Sequence, residues 1–551
     1  MSARQNARAP TWTGPTWARR ILWPAQIWPA QIGLSEAQRF LLLALFIGIF
    51  SGLLVVCFHI AISWISWTTL GALSGPFRFA RLLSPALGAL AAGFLVLRVF
   101  PKAKGSGVNN TKAAIYTSNG YVPSSTIIGK FLACSIAIGT GNSLGPEDPA
   151  LQMGAGVASR LGRLFQLERS TMRLIAPVGA AAGLAAAFNT PISGVLFVME
   201  EVLADWSATT VGSIVLAAVS AVVTMRAFLG NAPLFRIPTF ELTHASELLL
   251  YAAIGVVGGL ISALFIAAVE ALETRLEKLP HWTIYALPAT GGFLTGLVGL
   301  WFPEVMGAGY DAINSALHGQ FTWSILLYLA IAKLIVTLIC FSAGTPGGMF
   351  APILFIGGMF GGAFGGAAHR WWPFPAASPE AYMLVGMGTF FAGVFRAPIT
   401  SIFLVFELSA SYVIILPVMI ANITAYLLSR RLYAMPFYKM LAKVEGVALP
   451  SAEEKRNFQP LRVEDAMHTL SSHVPAEGGM RLFPDEPLDA ALRLLAVRPR
   501  IQVVSRMNTE EVIGTLTLDD VHTAYGIAEN QDGASGASSE TSARDVRLGG
   551  Q

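Results

Sequence analysis

The sequence predicts an all-α protein that crosses a membrane many times, followed by a small soluble α/β unit. Of its 551 residues, 54% are hydrophobic and only 13% are charged. The mean hydropathy is +0.58, which is far more apolar than an ordinary soluble domain. The apolar character ends near residue 442, and a charged, mixed pattern follows. We therefore expect a membrane domain at 38–442 and a separate unit at 455–528.

The membrane domain contains apolar stretches close to the roughly 20 residues that a helix needs to cross a bilayer. The predicted spans lie at 40–63, 83–99, 209–229, 247–270, 284–302 and 322–342. Three other apolar segments, at 139–158, 344–365 and 386–404, are broken by Gly and Pro and predict interrupted or re-entrant helices. Irregular backbone at membrane depth persists only where protein or a water-filled cavity satisfies its polar groups. We therefore expect the functional site at these breaks.

The two ends of the chain are predicted to lie in the cytoplasm. Residues 1–37 form an amino-terminal arm without the apolar core and cleavage site of a secretory signal. Basic residues precede the first long apolar run, which by the positive-inside tendency favours the cytoplasm; they include Arg4, Arg8, Arg19 and Arg20. Residues 529–551 are rich in Gly, Ser, Asp and Glu and predict a disordered tail.

Several classes of chemistry find no support in the sequence. Cys57, Cys134 and Cys340 lie in apolar surroundings without metal-ligand spacing, so we interpret them as buried free thiols. The histidines show no His-Glu-x-x-His spacing of a hydrolase. We expect no enzyme activity, no bound cofactor and no nucleic-acid partner.

The membrane domain repeats itself. The segment at 178–191 resembles the segment at 385–398, which lies 207 residues later. The same register aligns Glu200 with Glu407. Repeats of this kind in transporters commonly have inverted topology and place the substrate between the halves. The predicted halves span about 38–230 and 247–442. A shared preference for small residues in packed helices is the alternative interpretation.

Three Gly-rich turns stand beside predicted helix starts, at 105–109, 145–149 and 344–352. Glycine lets the backbone turn tightly and approach a ligand, while proline is tolerated at the first helical position. The unpaired amides and the positive end of the helix dipole attract an anion without a full cation that would hold it too tightly for passage. Together with the repeat, these turns predict transport of anions.

Several side chains near these turns are candidates for function. Glu147 lies at a predicted helix start, where its carboxylate competes with an anion for the same donors and can exchange a proton. An acid that only stabilises the helix dipole is the alternative. Glu200 and Glu201 follow an apolar run and either receive protons from the cytoplasm or are solvated interfacial residues. Ser106 and Tyr438 carry neutral hydroxyl groups that can donate to an anion; taken alone, both would be interfacial packing residues.

Taken in order, these motifs resemble the chloride channel/transporter family over about residues 38–442. The resemblance implies a chloride site formed by the Ser106 hydroxyl, the backbone amides of Met349 and Phe350, and the Tyr438 hydroxyl. The motifs that carry it are Gly-Ser-Gly at 105–107, Gly-Gly-Met-Phe-Ala-Pro at 347–352 and Pro-Phe-Tyr at 436–438. It also implies a homodimer with a separate anion pathway in each subunit, built from inverted halves of tilted and broken helices.

The Gly-Pro-Glu-Asp-Pro segment at 145–149 resembles the glutamate-gate motif of the same family, which implies that Glu147 is the gate. Family members usually have a basic residue before this glutamate and a glycine after it, whereas here Pro146 and Asp148 stand there. A second carboxylate predicts altered gating and pH dependence, either through repulsion of the anion or through coupled titration with Glu147. Asn109 replaces the family's usual proline and predicts a looser helix start.

The family contains both passive chloride channels and chloride/proton antiporters. Antiporters usually carry an inner acidic residue at the position matched here by Glu201. We therefore favour chloride/proton antiport in which Glu147 and Glu201 transfer protons, with a passive voltage- or pH-gated chloride channel as the alternative. Chloride and protons would then be transported ions. The short soluble extension favours a bacterial inner membrane, and the sequence does not rank chloride against bromide or nitrate.

The unit at 455–528 mixes helical and strand patterns. Helical periodicity at 487–496 and a strand pattern at 501–505 are followed at 512–520 by a strand and a helix start. The unit resembles a CBS-type regulatory module, which implies contact of Thr517 and Asp520 with the ribose of an adenine nucleotide. Because only one copy of the usual tandem is visible, we favour a structural or dimer-pairing role over nucleotide binding.

Overall fold

The structure is a computed structural model of the chain. It describes residues 35–71, 78–167, 169–204, 208–235, 246–280, 282–375, 377–449, 461–475, 481–506 and 508–524. The predicted arm at 1–37 lies outside these residues except for its last three positions, and the predicted tail at 529–551 lies entirely outside them. The chain divides into two compact units, Met1–Glu453 and Glu454–Gln551.

Helices form the described part of the first unit. They are α1 (Glu36–Ser66), α2 (Arg78–Phe94), α3 (Gly107–Thr117), α4 (Ser124–Gly139), α5 (Glu147–Leu164), α6 (Arg169–Phe188), α7 (Pro191–Phe197), α8 (Ala208–Leu229), α9 (Glu247–Leu276), α10 (Thr283–Gly299), α11 (Tyr310–Leu317), α12 (Trp323–Ser342), α13 (Phe350–Trp371), α14 (Pro379–Phe395), α15 (Pro398–Ser409), α16 (Ile415–Leu432) and α17 (Phe437–Val444). Short π-helical turns extend α1, α2 and α7. The chain breaks at 140–146, 343–349 and 396–397, which apart from position 343 lie inside the three segments predicted to be interrupted. That prediction is confirmed.

Within the described residues, seven helices are long and apolar enough to cross a membrane by length and composition. Two of them, Thr171–Phe188 and Phe350–Trp371, are spans that the sequence did not predict. Their most apolar windows have hydropathies of only 1.4 and 1.5 but are 83% and 78% buried, because they pack against other helices and not against lipid. Mean hydropathy detects lipid contact better than it detects membrane depth.

The thiol predictions are confirmed at two of three positions. Cys134 and Cys340 are buried, whereas Cys57 is exposed on α1. The prediction of a buried Cys57 was wrong because an apolar helix in a membrane protein can turn a face to lipid instead of protein.

The two halves of the membrane domain have the same order of helices. Helices α1 and α9, which open the halves, have 31 and 30 residues, and α2 and α10 have 17 each. Equivalent glycines fix the close contact in each half. A Cβ atom at Gly154 on α5 would collide with the carbonyl of Gly179 on α6, and a Cβ at Gly357 on α13 would collide with the carbonyl of Gly386 on α14. Backbone therefore packs on backbone at matching places in both halves.

Two carboxylates join the halves in a reciprocal manner. Glu200 accepts hydrogen bonds from the backbone amide and the hydroxyl of Thr400 at the start of α15, both at 2.8 Å. Glu407, which lies 207 residues after Glu200, accepts from the amides of Ile192 and Ser193 at the start of α7, at 2.8 and 2.7 Å. Each half thus caps a helix start of the other, as expected for two repeats related by a twofold axis.

The second unit contains a four-stranded sheet with the strand order β1-β4-β3-β2. Its strands are β1 (His468–Pro475), β2 (Arg481–Leu482), β3 (Arg500–Val504) and β4 (Glu511–Thr517), and its helices are α18 (Val463–Ala466), α19 (Leu488–Leu495) and α20 (Leu518–Ala524). Strands β2 and β3 are parallel, and the other pairs are antiparallel. Leu488, Ile501 and Leu516 contribute to its apolar core. The predicted helix at 487–496 and the strands at 501–505 and 512–517 are confirmed.

Candidate functional site

The site forms where the starts of α5 and α13 meet. The amide of Gly145 donates to the carbonyl of Gly348 at 2.7 Å, and the amide of Gly348 donates back to Gly145 at 2.8 Å. The contact needs glycine, since a Cβ at Gly348 would lie 2.8 Å from the Cβ of Asp148. These two hydrogen bonds therefore hold the amino-terminal ends of two helices from opposite halves side by side. Each of these ends has unpaired amides.

Glu147 is the first residue of α5 and is completely buried. Its carboxylate accepts a hydrogen bond from the hydroxyl group of Tyr310, the first residue of α11. The backbone amides of Glu147 and of Ala351 on α13 also interact with the carboxylate. The Glu147 side chain consequently lies between the starts of α5 and α13, where the sequence predicted competition between a carboxylate and an anion.

Tyr310 is a site residue that sequence reasoning missed. The preceding Gly309 has a φ of 87°, so the chain turns sharply before α11 just as it does before the predicted anion-binding helix starts. A glycine before an aromatic residue in the segment Gly-Ala-Gly-Tyr at 307–310 was the available signal.

Ser106 and Asp148 are in direct contact. Ser106 precedes α3 as its N-cap, and its hydroxyl donates to Asp148 Oδ1 at 3.1 Å. The amides of Gly107 and Val108 donate to the same carboxylate at 2.6 and 3.1 Å. The sequence predicted that Asp148 either repels the anion or titrates together with Glu147. The structure adds hydrogen bonds from Asp148 to the helix start that was assigned to the anion.

Tyr438 lies beside the same helix start. The side-chain amide of Asn109 donates to the Tyr438 carbonyl at 2.9 Å and ties α3 to α17, contrary to the looser helix start that was expected from Asn109. The Tyr438 ring stacks on Phe395, with centroids 5.3 Å apart.

Met349 and Phe350 are buried at the start of α13. Helix geometry leaves the amides of a first turn without a partner inside the helix. The Phe350 ring contacts Phe395 with centroids 4.8 Å apart, and Phe395 in turn stacks on Tyr438. The structure thus brings the predicted residues Ser106, Glu147, Phe350 and Tyr438 into one region, formed by the starts of four helices.

Glu201 forms a buried ion pair. Its Oε1 lies 2.5 Å from Lys112 Nζ, and the two side chains are 6% and 4% exposed. Lys112 belongs to α3 and also lies 5.8 Å from the centroid of the Tyr438 ring. Glu200 is buried as well, so neither glutamate is a solvated interfacial residue. Sequence reasoning missed Lys112 because its partner lies 89 positions away.

Comparison with known proteins identifies the family. A family model described as "Voltage gated chloride channel" matches residues 87–430. The chain belongs to this family. Among its relatives, the H(+)/Cl(-) exchange transporter ClcA of Vibrio cholerae is 33% identical over 413 residues, which cover 73% of this chain and 88% of that protein. The transporter of the same name from Salmonella gallinarum is 32% identical over 433 residues, covering 76% of this chain and 91% of the relative.

Solved structures of the voltage gated chloride channel family share the fold. The crystal structure of a slow cyanobacterial Cl-/H+ antiporter superposes with a TM-score of 0.68 at 25% identity and covers 75% of this chain and 98% of its own. A eukaryotic CLC transporter superposes with a TM-score of 0.63 at 22% identity and covers 90% of both chains. The predicted architecture of inverted halves with broken helices is therefore confirmed.

A cavity of about 700 Å³ leads from the protein surface to Ser106 in this family member. Charged residues of both signs line it, namely Lys104, Lys130, Glu273, Glu277 and Glu445. Lys130 Nζ donates to the Gly105 carbonyl at 2.6 Å and fixes the turn before α3. The cavity gives water and small ions access to the Ser106 end of the site.

Thr517 and Asp520 of the second unit bind each other. The Thr517 amide and hydroxyl donate to Asp520 Oδ2 at 2.8 and 2.7 Å. The Asp520 amide returns a hydrogen bond to the Thr517 hydroxyl at 3.3 Å. His468 Nε2 lies 2.8 Å from the other carboxylate oxygen. This geometry stabilises the start of α20, and contact with a nucleotide stays a prediction.

Proposed function

We propose that this protein exchanges chloride for protons across a membrane, with Glu147 as the gate. The proposal rests on the position of the Glu147 carboxylate at the starts of α5 and α13, which are hydrogen-bonded to each other. A charged carboxylate there holds the donors that an anion needs. A protonated carboxyl group holds them less strongly, so proton binding and anion binding are linked at one side chain.

The anion pathway in this proposal passes the neutral donors of the site. Ser106 and Tyr438 offer hydroxyl groups, and Met349 and Phe350 offer backbone amides. Donors without a full positive charge suit transport, because binding must be favourable enough for the ion to enter and weak enough for it to leave. The cavity that reaches Ser106 supports this end of the path as its opening.

The proton pathway in this proposal runs from Glu147 to Glu201. An ionisable residue buried at membrane depth is costly and marks an ion or proton path by default. Glu201 meets this description, and its partner Lys112 offsets its charge. The proposal draws further support from the ClcA relatives, whose names state H(+)/Cl(-) exchange, and from the solved cyanobacterial Cl-/H+ antiporter.

The test is proton flux measured beside chloride flux in proteoliposomes under a chloride gradient. We expect chloride efflux to drive proton uptake, and Glu147→Gln to remove the proton signal. Glu201→Gln is expected to remove the proton signal and keep chloride flux. Glu407→Gln is the matched control, since it removes a carboxylate from a helix start outside the site. Chloride flux without proton movement in the parent would make the protein a passive channel, and unchanged proton flux in Glu201→Gln would exclude Glu201.

We further propose an inner-membrane location with both termini in the cytoplasm, and a homodimer with one anion pathway in each subunit. The apolar stripe of Val215, Val219 and Val223 on the outer face of α8 supports contact with lipid or with a second copy. Light scattering of the purified protein in detergent tests the dimer, and a mass of one chain excludes it.

For the second unit, we propose a structural or dimer-pairing role, and titration of the full chain with ATP and AMP tests for nucleotide binding.

A further inference from the structure

Side chains of the protein itself occupy most of the amides at the start of α3. The first amides of a helix lack partners inside it, and here three of the first four donate to side chains of the chain itself. The carboxylate of Glu445 lies beside the remaining amide, that of Ser106. The amides of Gly107 and Val108 donate to Asp148, and the Asn109 amide reaches the Ser106 hydroxyl oxygen at 3.5 Å.

The hydroxyl group of Ser106 also donates to a partner within the chain. It points to Asp148 Oδ1 at 3.1 Å, so the serine that was predicted to contact chloride contacts a carboxylate instead. Asp148 is 3% exposed. A Cβ atom at Gly107 would collide with Asp148, which shows how closely the aspartate fits against α3.

We propose that Asp148 is a tethered anion that occupies the donors of Ser106 and Gly107, and that a transported anion must displace it. This inference rests on the proposed function. The adjacent carboxylates of Glu147 and Asp148 lie at different helix starts: Glu147 lies at those of α5 and α13, and Asp148 accepts hydrogen bonds at that of α3. The anion path therefore meets two carboxylates in series.

Tethering gives the Asp148 carboxylate an advantage over a free ion. A group held by a short link competes at an effective concentration of mM or more, and its hydrogen bonds are charge-assisted and therefore strong. The concentration of free chloride must exceed the effective concentration of this carboxylate before chloride displaces it from Ser106. The parent protein should consequently bind chloride weakly at this position, and removal of the carboxylate should strengthen binding.

The experiment is calorimetric titration of the purified full-length protein with chloride, comparing the parent with Asp148→Asn and Asp148→Gly. We expect at least a tenfold lower Kd in both variants. Glu407→Gln is the control and should leave the Kd unchanged, because it also removes a carboxylate from two amides of a helix start, but outside the site. Thermal unfolding and size-exclusion profiles identify the variants that fold, and either Asp148 variant suffices.

Crystals grown in bromide distinguish displacement of the Asp148 side chain by an anion from a general electrostatic effect of the Asp148 charge. We expect an anomalous bromide peak within hydrogen-bond distance of Ser106 Oγ in Asp148→Gly, and none there in the parent. A tighter Kd without bromide at Ser106 would mean that Asp148 acts only through its charge and would overturn the proposal. Bromide at Ser106 in the parent with Asp148 still bonded to α3, or an unchanged or weaker Kd in a folded variant, would overturn it as well. The proposed function is tested separately and is excluded if the parent shows no coupled flux of chloride and protons.

Discussion

Tyr310 donates a hydrogen bond to Glu147 although the two residues lie 163 positions apart, on helices from opposite halves of the membrane domain. A hydrogen bond to a charged group stabilises by about 1.5–3 kcal/mol. Tyr310 therefore holds the proposed gate in its closed position. The strength of this contact sets how readily an anion takes the place of the carboxylate.

We predict that Tyr310→Phe accelerates chloride efflux from proteoliposomes by roughly tenfold, since about 1.4 kcal/mol corresponds to a factor of ten. The ring remains and only the hydroxyl is lost. Tyr328→Phe, which changes an exposed tyrosine on α12, serves as the control and should leave efflux unchanged. An efflux rate of Tyr310→Phe equal to or below that of the parent would show that the hydroxyl does not restrain the gate.

The buried ion pair of Lys112 and Glu201 predicts a large loss of stability when one partner is removed. Breaking such a pair costs about 3–5 kcal/mol because an uncompensated charge stays buried. Lys112→Met should lower the unfolding temperature in detergent clearly. Lys443→Met is the matched control, because Lys443 is 64% exposed where it pairs with Glu270 at 3.5 Å, and exposed pairs contribute about 0–1 kcal/mol. Equal unfolding temperatures for the two variants would contradict the prediction.

The reciprocal contacts of Glu200 and Glu407 predict equivalent losses on substitution. Glu200→Gln and Glu407→Gln each remove the charge from hydrogen bonds to a helix start of the other half, at an expected cost of about 1.5–3 kcal/mol. Thermal unfolding should place both variants below the parent by similar amounts. A decrease in only one variant would mean that the halves are not equivalent at this contact.

The contact between Thr517 and Asp520 predicts a local role in the second unit. Loss of a helix cap costs about 1 kcal/mol, so Asp520→Asn should speed amide hydrogen exchange in α20 about fivefold. Asp519→Asn, at the exposed neighbouring position in the same first turn, is the control. If ATP slowed exchange in α20 of the parent but not of Asp520→Asn, the residue would also contact nucleotide.

The local features of the fold were readable from the sequence. Gly and Pro at 145–149 and 344–352 predicted the helix starts that meet at the site, and Ser106, Glu147 and Tyr438 do lie together. The register that takes Glu200 to Glu407 predicted two equivalent halves. These features depend on short-range backbone chemistry and on internal repetition, which a single sequence displays.

Contacts between distant segments were not readable. Lys112 appeared as a lone cation in an apolar helix, and Tyr310 as one aromatic residue among many, because their partners come from other helices. Asp148 was recognised as unusual, but its hydrogen bonds to Gly107 and Val108 depend on how α3 packs against α5. Such pairings follow from tertiary packing, which no local pattern encodes.

The paired hydrogen bonds between Gly145 and Gly348 limit how the protein can move. Separation of the two helix starts would leave two amides and two carbonyls unpaired at membrane depth, and each such group costs several kcal/mol. Separation of the halves at this contact is therefore costly. Movements of single side chains, such as that of Glu147, leave these hydrogen bonds intact and avoid that cost.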